Sequence, residues 1–333
     1  MAIKVLISGA GGDVGQGVLK ALSASSLDIE LYATCIGAHS SWLHAAGIQG
    51  FIAPPSADAG YVEYLIRLIQ RFGIQAYFPT VDSEIVKIAQ AKTSIESETG
   101  AAVFVDDLAR VSVCDDKFQT AEFLRRHGFA YPASAVASEE AARDLVARLG
   151  YPLVAKKRSG KGSQHVHVVH SEAELACHFG DADFVVQEWL DPAAGEYTSG
   201  IYLGDDGQVK GACTFRRQLK AGSTFIAERI IDTVLEAPLE EMARVLGMKY
   251  LNVQSMRRGN ELVPFEFNGR LSGSTAMVAR LFNAPEMFLR ERLLGERLER
   301  IDNPARFVAM RYYEEIYATP DQIDALTTRS TQI

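Results

Sequence analysis

The stretch Leu262-Val-Pro-Phe-Glu-Phe-Asn-Gly-Arg270, continued by Leu271-Ser-Gly-Ser-Thr275, decides how this chain is interpreted. Successive side chains of an extended segment leave opposite faces. One face therefore carries three apolar side chains, those of Val263, Phe265 and Phe267. The other face carries a carboxylate, an amide and a guanidinium, those of Glu266, Asn268 and Arg270. The pattern predicts a half-buried strand whose polar face binds a metal ion or an anion.

A second strand precedes this one and forms a hairpin with it, and the length of the connecting turn fixes which residues face each other. A three-residue loop, Gly259–Glu261, would pair Arg258 with Leu262 and place Gln254 opposite Glu266. A two-residue Gly-Asn turn would shift the pairing by one residue and move the Gln254 side chain to the other face. Both loops remain open at this point, and any role for Gln254 on the polar face depends on its lying beside Glu266.

Composition favours a globular protein that acts on small molecules. With 47% apolar residues, a chain of 333 residues can bury a large core in two or three structural units. The formal net charge of -8 disfavours nonspecific binding to nucleic acids and to anionic membranes. No apolar run approaches the roughly 20 residues that a membrane helix needs.

The four cysteines are far apart and show no C-x-x-C spacing; they are Cys35, Cys114, Cys177 and Cys213. The chain begins Met1-Ala-Ile-Lys4, without the pattern of a signal peptide. We therefore expect reduced thiols and a cytoplasmic location.

The first unit, residues 1–110, opens with the strand Val5–Ser8 and the glycine-rich turn Gly9–Gly15, followed by helical spacing. This order is typical of a doubly wound, Rossmann-like α/β unit. Further strands are predicted at the apolar runs Ile29–Cys35, Ala76–Pro79 and Ala102–Val105, and their alternation with helices predicts a parallel sheet.

The glycine turn leaves two interpretations open. Its spacing is similar to a dinucleotide-binding fingerprint, which would make the protein an NAD(P)-dependent oxidoreductase. However, Thr34-Cys35-Ile36 stands where an acidic ribose ligand is expected, so a structural or substrate-facing turn is favoured. Asp82 and Ser83 follow the Ala76–Pro79 strand, where they could contact a ligand or cap the next helix.

The second unit, residues 111–185, contains two lysines in unusual places. Lys117 leads an amphipathic helix, and Lys156 ends the apolar strand that starts at Tyr151. The basic loop that follows contains Gly160, Gly162 and Ser163, whose backbone amides and hydroxyl suit a polyphosphate. The loop lacks the Walker A spacing, and a solvated hairpin tip is the alternative.

The third unit, residues 186–333, is rich in strands. The first strand of this part, Phe184–Leu190, ends in the polar pair Gln187-Glu188, and Glu196 opens the next. Arg217 and Lys220 lie between two later strands, where they could grip an anionic substrate or form a solvated basic turn. The final residues, 327–333, are expected to fray.

Taken in order, these motifs resemble the ATP-grasp superfamily, and most closely its branch containing the carbamoyl phosphate synthetase large subunit and related single-domain ligases. They are a P-h-h-h-K strand, a glycine-serine loop, h-h-Q-E-h-h, G-E-Y, h-x-x-Q and h-x-E-x-N-x-R. The resemblance covers essentially the whole chain. It implies an N-terminal Rossmann-like pre-ATP-grasp domain followed by a two-lobed α+β ATP-grasp domain.

The resemblance also implies roles for individual residues. Lys117 and Lys156 would hold the ATP phosphates, and the loop Gly160–Gln164 would cover them. Glu188, preceded by Gln187, would contact the adenine amino group, with the backbone of Trp189 and Leu190 at the ring edge. Glu196 would bind the ribose.

The polar face of the hairpin gains a role in the same way. Gln254, Glu266 and Asn268 would hold one or two Mg²⁺ ions, with Mn²⁺ as an acceptable substitute. Arg270 would neutralise charge on the transferred γ-phosphoryl group, and Arg217 with Lys220 would grip the acceptor carboxylate or the transferred phosphate.

The implied reaction is ADP-forming ligation. A small-molecule carboxylate would be activated as an acyl phosphate and then attacked by an amine, and the resemblance also favours a homodimer. Two alternatives remain: the NAD(P)-dependent oxidoreductase, and a noncatalytic ATP-binding module.

Overall fold

The computed structural model describes residues 2–160 and 165–333, which form three β-sheets with eleven α-helices around them. The mixed α/β fold, with a parallel sheet first and antiparallel sheets after it, confirms the predicted fold class. None of the described helices is long and apolar enough to cross a membrane. The four cysteines are free thiols.

The first sheet is parallel and belongs to the N-terminal unit. Its strands are β1 Ile3–Ile7, β2 Ile29–Cys35, β3 Ile48–Ile52, β4 Ala76–Phe78 and β5 Ala102–Val103, in the spatial order β3-β2-β1-β4-β5. The helices of this unit are α1 Asp13–Ser23, α2 Tyr61–Phe72, α3 Asp82–Thr99 and α4 Leu108–Asp115. Both faces of the sheet are covered, which explains its nearly continuous apolar strands.

One face of this sheet packs on helices α2 and α3, and the other packs on α1 together with elements from the end of the chain. The Phe78 ring centroid lies 5.1 Å from that of Phe104 and 5.6 Å from that of Phe288. The Glu286 carboxylate accepts hydrogen bonds from the Ser25 and Ser26 hydroxyls, both at 2.9 Å. The first unit is therefore held against the last by a shared core with polar contacts at its rim.

The second sheet has four antiparallel strands and forms a small lobe. Its elements are α5 Lys117–Arg126, β6 Ser134–Val136, α6 Glu139–Leu149, β7 Leu153–Lys157, β8 Val166–Val169, α7 Glu172–Ala176 and β9 Phe184–Glu188. The strand order is β6-β9-β7-β8, so the Lys156 strand lies inside the sheet.

The third sheet has six antiparallel strands in the order β14-β13-β10-β11-β12-β15. Its elements are β10 Glu196–Leu203, β11 Val209–Lys220, β12 Ser223–Ile230, α8 Thr233–Leu246, β13 Tyr250–Arg258, β14 Glu261–Asn268, α9 Thr275–Val278, α10 Ala284–Arg292, β15 Val308–Met310 and α11 Pro320–Ser330. Two short 3₁₀ helices cover Ser41–His44 and Pro192–Ala194.

The β13–β14 hairpin adopts the shorter of the two loops that the sequence allowed. Arg258 pairs with Glu261, so the turn has two residues, and Gly259 has the positive φ of 61° that favours glycine at such a position. Gln254 nevertheless lies opposite Glu266, as predicted. A register shift between Gln254 and Ser255 restores the pairing, because β14 carries one extra residue there, Phe265.

The bulge also corrects the predicted face of Phe265. Val263 and Phe267 are buried in the core, but Phe265 is half-buried and lines the central cavity. The preceding residue, Pro264, has no backbone N–H to donate, and prolines in strands are found at edges and bulges. The alternation of apolar and polar residues therefore breaks at a proline-linked bulge.

The end of the chain is ordered, which corrects the expectation that it frays. Helix α11 reaches Ser330 and packs beside β3, where the Ser330 hydroxyl accepts a hydrogen bond from the Ile52 amide at 2.8 Å. Arg329 donates to the Gly50 carbonyl at 2.7 Å, and Arg67 donates to the Ile333 carbonyl at 3.0 Å. The last residues thus belong to the N-terminal unit.

Candidate active site

A cavity of about 740 Å³ lies where the three sheets meet. The parallel sheet contributes the residues that follow β1, β2 and β4, including Gly9, Cys35 and Thr80. Ligand contacts in open parallel sheets occur at these carboxyl ends of strands. The antiparallel sheets supply the charged side chains, so the cavity is assembled from distant parts of the sequence.

Lys117 and Lys156 lie in this cavity, and both are almost fully buried. The Lys117 ammonium donates to the Gly160 carbonyl at 2.9 Å, and the Lys156 ammonium donates to the Phe265 carbonyl at 3.3 Å. Within residues 2–160 and 165–333, neither ammonium forms an ion pair. Two buried cations held only by carbonyl groups make a site that favours an anion.

The pKa of Lys156 is lowered by its burial in this site. Burial lowers it from 10.5 to about 7; Glu266 acts in the opposite direction, and Lys117 lowers it further. The Lys156 ammonium also lies 5.4 Å from the centroid of the Phe265 ring. Phe265, the extra residue of the bulge, therefore contacts Lys156 through both its carbonyl oxygen and its ring. This contact joins the small lobe to the hairpin.

The structure brings the three predicted metal ligands, Gln254, Glu266 and Asn268, to one wall of the cavity. Asn268 is nine-tenths buried, and its amide nitrogen has no hydrogen-bond partner among the described residues. The neighbouring Asn252, directly opposite it, has an unpartnered amide oxygen. Unpartnered buried amides beside a carboxylate indicate a site that is completed by a ligand.

The donor set fits magnesium. Among the described residues no three His, Cys, Asp or Glu side chains converge on one point, so the site depends on the Glu266 carboxylate and amide oxygens. Mg²⁺ is a hard cation that is commonly held by one or two carboxylates together with phosphate oxygens. Side chains of this kind could hold the ion only with a phosphate-bearing ligand present.

Arg270 lies in the cavity, and its guanidinium forms an ion pair with Asp82 at the start of α3. It also donates to the Leu271 carbonyl at 2.8 Å. Asp82, which the sequence offered only as a ligand contact or a cap, therefore joins the parallel sheet to the hairpin. These two residues are 188 positions apart in the chain.

Arg217 and Glu196 form a second ion pair, with nitrogen and oxygen 2.5 Å apart. The same guanidinium donates to the Gln254 side-chain oxygen at 2.8 Å. One hydrogen-bonded network in the cavity thus joins three predicted site residues: the ribose ligand Glu196, the anion-binding Arg217 and the metal ligand Gln254. In this state Glu196 and Gln254 are already hydrogen-bonded.

The segment predicted to bind adenine also lines the cavity, through Gln187, Glu188, Trp189 and Leu190. Gln187 is buried and donates to the Ser134 hydroxyl at 2.8 Å. The Glu188 carboxylate accepts from the Ala133 amide at 3.1 Å and pairs with Arg258 at 3.1 Å. Its contacts stabilise the junction between the two antiparallel sheets.

Lys220 is the predicted site residue that the structure places elsewhere. It does not line the cavity, and its ammonium lies 4.7 Å from the Phe225 ring centroid and 5.1 Å from that of Tyr313. Of the predicted phosphate loop, Gly160 lines the cavity, whereas Gly162 and Ser163 lie outside the described residues.

Backbone conformation and close packing explain the glycines of the turn after β1. Gly9 has a φ of +65°, and a Cβ on Gly15 would lie 2.4 Å from the Gly9 carbonyl oxygen. No acidic residue stands at the end of β2, where Thr34 and Cys35 line the cavity. These features account for the turn without a dinucleotide, and they leave it facing the same cavity as the lysines.

Sequence reasoning missed one contact of this turn. The Asp13 carboxylate accepts from the Ser223 hydroxyl at 2.9 Å and lies 3.6 Å from the Arg311 guanidinium. Arg311 also donates to the Gly273 carbonyl. Because Asp13 and Arg311 are almost the whole chain apart, no local pattern could have revealed this link.

The fold and motifs agree with comparisons to known proteins. Residues 114–226 match a family described as the ATP-grasp domain. The carbamoyl phosphate synthase large chain of Rubrobacter xylanophilus is 25% identical over 228 residues, which are 60% of this chain and 21% of that protein. The match thus spans about a fifth of that relative's length.

Solved structures share the fold across almost the whole chain. A biotin carboxylase from Campylobacter jejuni, in a β-γ-ATP complex, has a TM-score of 0.73 at 16% identity and covers 93% of this chain and 76% of that one. The N5-carboxyaminoimidazole synthetase of Staphylococcus aureus, complexed with ADP, has a TM-score of 0.70 at 15% identity and covers 94% and 83%.

Proposed function

We propose, because residues 114–226 match the ATP-grasp domain family, that this chain is an ATP-dependent, ADP-forming ligase that activates a small-molecule carboxylate for attack by an amine. One observation carries the proposal: two buried lysines, which have no ion-pair partner among the described residues, face a carboxylate, two amides and an arginine across a single cavity. An oxidoreductase would not need this arrangement. The described relatives and neighbours that bind ATP or ADP support the nucleotide.

ATP would lie between the two antiparallel sheets. Lys117 and Lys156 would exchange their carbonyl partners for oxygens of the phosphate chain, which removes the cost of burying unpaired charge. The base would lie beside Glu188, against the side chains of Val166 and Val168, which are exposed to the cavity. Mg²⁺ held by Glu266, Asn268 and Gln254 would neutralise negative charge on the phosphate oxygens.

The acceptor carboxylate would enter from the side of the parallel sheet. Its oxygen would attack the γ-phosphorus, the bond between that phosphorus and the bridging oxygen would break, and ADP would leave. Arg270 would stabilise the charge on the transferred group. The amine nitrogen would then attack the acyl carbon, expel phosphate and lose a proton, giving an amide.

The test is ADP formation from MgATP across a panel of carboxylates and amines. We expect at least one pair to stimulate ADP release, and we expect Glu266→Gln and Arg270→Ala to lower the stimulated rate by about 100- to 1,000-fold. The matched controls Glu261→Gln and Arg257→Ala, at exposed positions of the same hairpin, should keep the rate.

Three results separate this function from its alternatives. ATP binding without stimulated ADP release by any pair would favour a noncatalytic nucleotide-binding module. Thermal stabilisation by NADH and not by MgATP would favour the oxidoreductase. A stimulated rate that survives both hairpin substitutions would contradict the assigned site.

A further inference from the structure

The outer edge of the six-stranded sheet has an unusual composition. Strand β15 is its last strand and pairs with β12 on one side, and in the part of the chain that is described no strand pairs with its other side. Exposed edges are commonly protected from pairing by lysine, proline or inward-pointing charges. The segment 306–314 has neither lysine nor proline, and its one inward-pointing charge, Arg311, is compensated by Asp13. Its strand is short, so the peptide groups that could pair are few.

Exposed and half-buried side chains alternate from Arg306 to Tyr312, and the alternation ends at Tyr313, which is 78% exposed. The odd-numbered Phe307, Ala309 and Arg311 are half-buried. The even-numbered Val308, Met310 and Tyr312 are 49, 70 and 77% exposed. The outer face of the edge is therefore an apolar stripe, which the described residues leave uncovered. By contrast, the exposed valines of β8 face the nucleotide cavity and so have a role in the proposed function.

Backbone hydrogen bonds show which peptide groups are available. The Arg229 amide donates to the Phe307 carbonyl at 3.0 Å, and the Arg311 amide donates to the Phe225 carbonyl at 2.9 Å. Odd-numbered residues thus pair inward with β12. In an extended strand the peptide groups of alternate residues point to opposite edges, so those of Val308, Met310 and Tyr312 point outward.

The outward edge is complementary to itself. An antiparallel copy centred on Met310 would place Val308 opposite Tyr312 and Arg306 opposite Glu314, in both directions, on one exposed face. Arg306 has no ion-pair partner in residues 2–160 or 165–333, and Glu314 accepts only a 3.2 Å hydrogen bond from Tyr312. Opposite charges that face each other across strands stabilise a sheet, and like charges destabilise it.

We propose that β15 is a homodimer interface, at which two copies of this chain pair edge to edge around a two-fold axis at Met310. The two six-stranded sheets then form one continuous twelve-stranded sheet. A two-fold interface requires a self-complementary surface, and the alternation of charge, apolar side chain and outward peptide group supplies one. The interface is distinct from the nucleotide cavity, so this inference does not depend on the proposed ligase activity.

Charge exchange tests the register directly. We expect sedimentation velocity of the full chain, from submicromolar to about 100 μM, to show a reversible dimer. Arg306→Glu alone, or Glu314→Arg alone, creates like-charge contacts and should raise the dissociation constant about tenfold or more. The double variant should restore the wild-type constant. An equimolar mixture of the two single variants should form heterodimers as tightly as the wild type, because both cross-strand pairs are then opposite in charge.

A third variant tests the apolar stripe. Met310→Asp puts two carboxylates at the two-fold axis and should give monomers, whereas Val234→Asp, at a 74% exposed position on α8, should leave the dimer intact. Circular dichroism and the melting temperature of the monomeric variants establish that they are folded. A wild type that is monomeric throughout, or a dimer insensitive to the charge reversals, would overturn the proposal; failure of the double variant to recover would overturn the register.

Discussion

The two walls of the proposed nucleotide cavity both carry positive charge, but only one of them pairs that charge with carboxylates. On the small lobe, Lys117 and Lys156 are buried against carbonyl oxygens, without carboxylate partners among the described residues. On the large sheet, Arg217 pairs with Glu196 and Arg270 pairs with Asp82. One wall therefore keeps its charge uncompensated until a ligand arrives, whereas the other is neutralised within the protein.

This difference predicts separate roles for the lysines and the arginines. A buried unpaired ammonium costs free energy in the ligand-free protein, and a polyphosphate that relieves this cost binds more tightly. A paired guanidinium costs less and is held in a defined orientation. We therefore expect the lysines to determine nucleotide affinity, and the arginines to determine the geometry of phosphoryl transfer.

The largest expected effect comes from removing the charge of the lysine wall. Lys156→Met should weaken MgATP binding about 100-fold, because a charge-assisted hydrogen bond of about 2 to 3 kcal/mol is lost. The same change should raise the free energy of unfolding of the nucleotide-free protein by about 1 to 3 kcal/mol, since a desolvated cation is replaced by an apolar side chain. Calorimetric titration and urea unfolding measure the two effects.

Lys210→Met is the matched control. Lys210 is similarly buried, but it pairs with Asp206 at 2.7 Å and lies away from the cavity. Its loss should lower stability and leave nucleotide affinity unchanged. If the two lysine variants changed stability and nucleotide affinity alike, the proposed difference between paired and unpaired buried charge would be wrong.

A smaller effect is expected from pH. Burial lowers the pKa of Lys156 to about 7, and phosphate oxygens should raise it again in the complex. Binding is then accompanied by proton uptake, so MgATP affinity should fall by up to about tenfold for each pH unit above 7. Titrations between pH 7 and 9 should show this slope in the wild type and not in Lys156→Met.

Stability should change in the opposite sense with pH. Between pH 7 and 10.5 the unfolded chain binds more protons at this lysine than the folded protein does, so the free energy of unfolding rises with pH. Between pH 7 and 9 we expect a gain of about 2 kcal/mol, which Lys156→Met should abolish. Slopes that do not differ between the two proteins would show that Lys156 does not titrate in this range.

The smallest effect concerns the arginine wall. Asp82→Asn leaves Arg270 without its carboxylate and should lower kcat for stimulated ADP formation about 3- to 10-fold through misorientation, with the KM for ATP unchanged. The surface variant Asp324→Asn on α11 serves as the control. A change in KM alone would instead assign Asp82 to nucleotide binding.

Sequence patterns predicted elements well where local signals agree. Strand β2 has the predicted bounds, Ile29–Cys35, because its apolar run is a clear local signal. The lysine, glutamate and asparagine motifs were located by their order in the chain. Their assembly around one cavity follows from the fold.

Long-range partners could not be predicted in this way. Asp82 and Arg270, or Asp13 and Arg311, meet only because three sheets pack together, and the intervening sequence carries no sign of it. The same holds for α11, whose short amphipathic pattern gives no indication that β3 receives it. Lys220 was assigned to the site wrongly for a related reason. The sequence alone does not distinguish a basic residue that faces a cavity from one that packs on aromatic rings, as Lys220 does.

The extra residue in β14 affects how this chain should be aligned with other sequences. The residue numbers of a cross-strand pair add up to 519 near the turn, as for Arg258 and Glu261. They add up to 520 at the proposed metal site, as for Gln254 and Glu266. An alignment that counts outward from the turn would therefore misassign a ligand by one position. Homologues with a shorter or longer turn can keep the same site if the bulge absorbs the difference, so gaps in this hairpin should be placed at Phe265 before a ligand is judged missing.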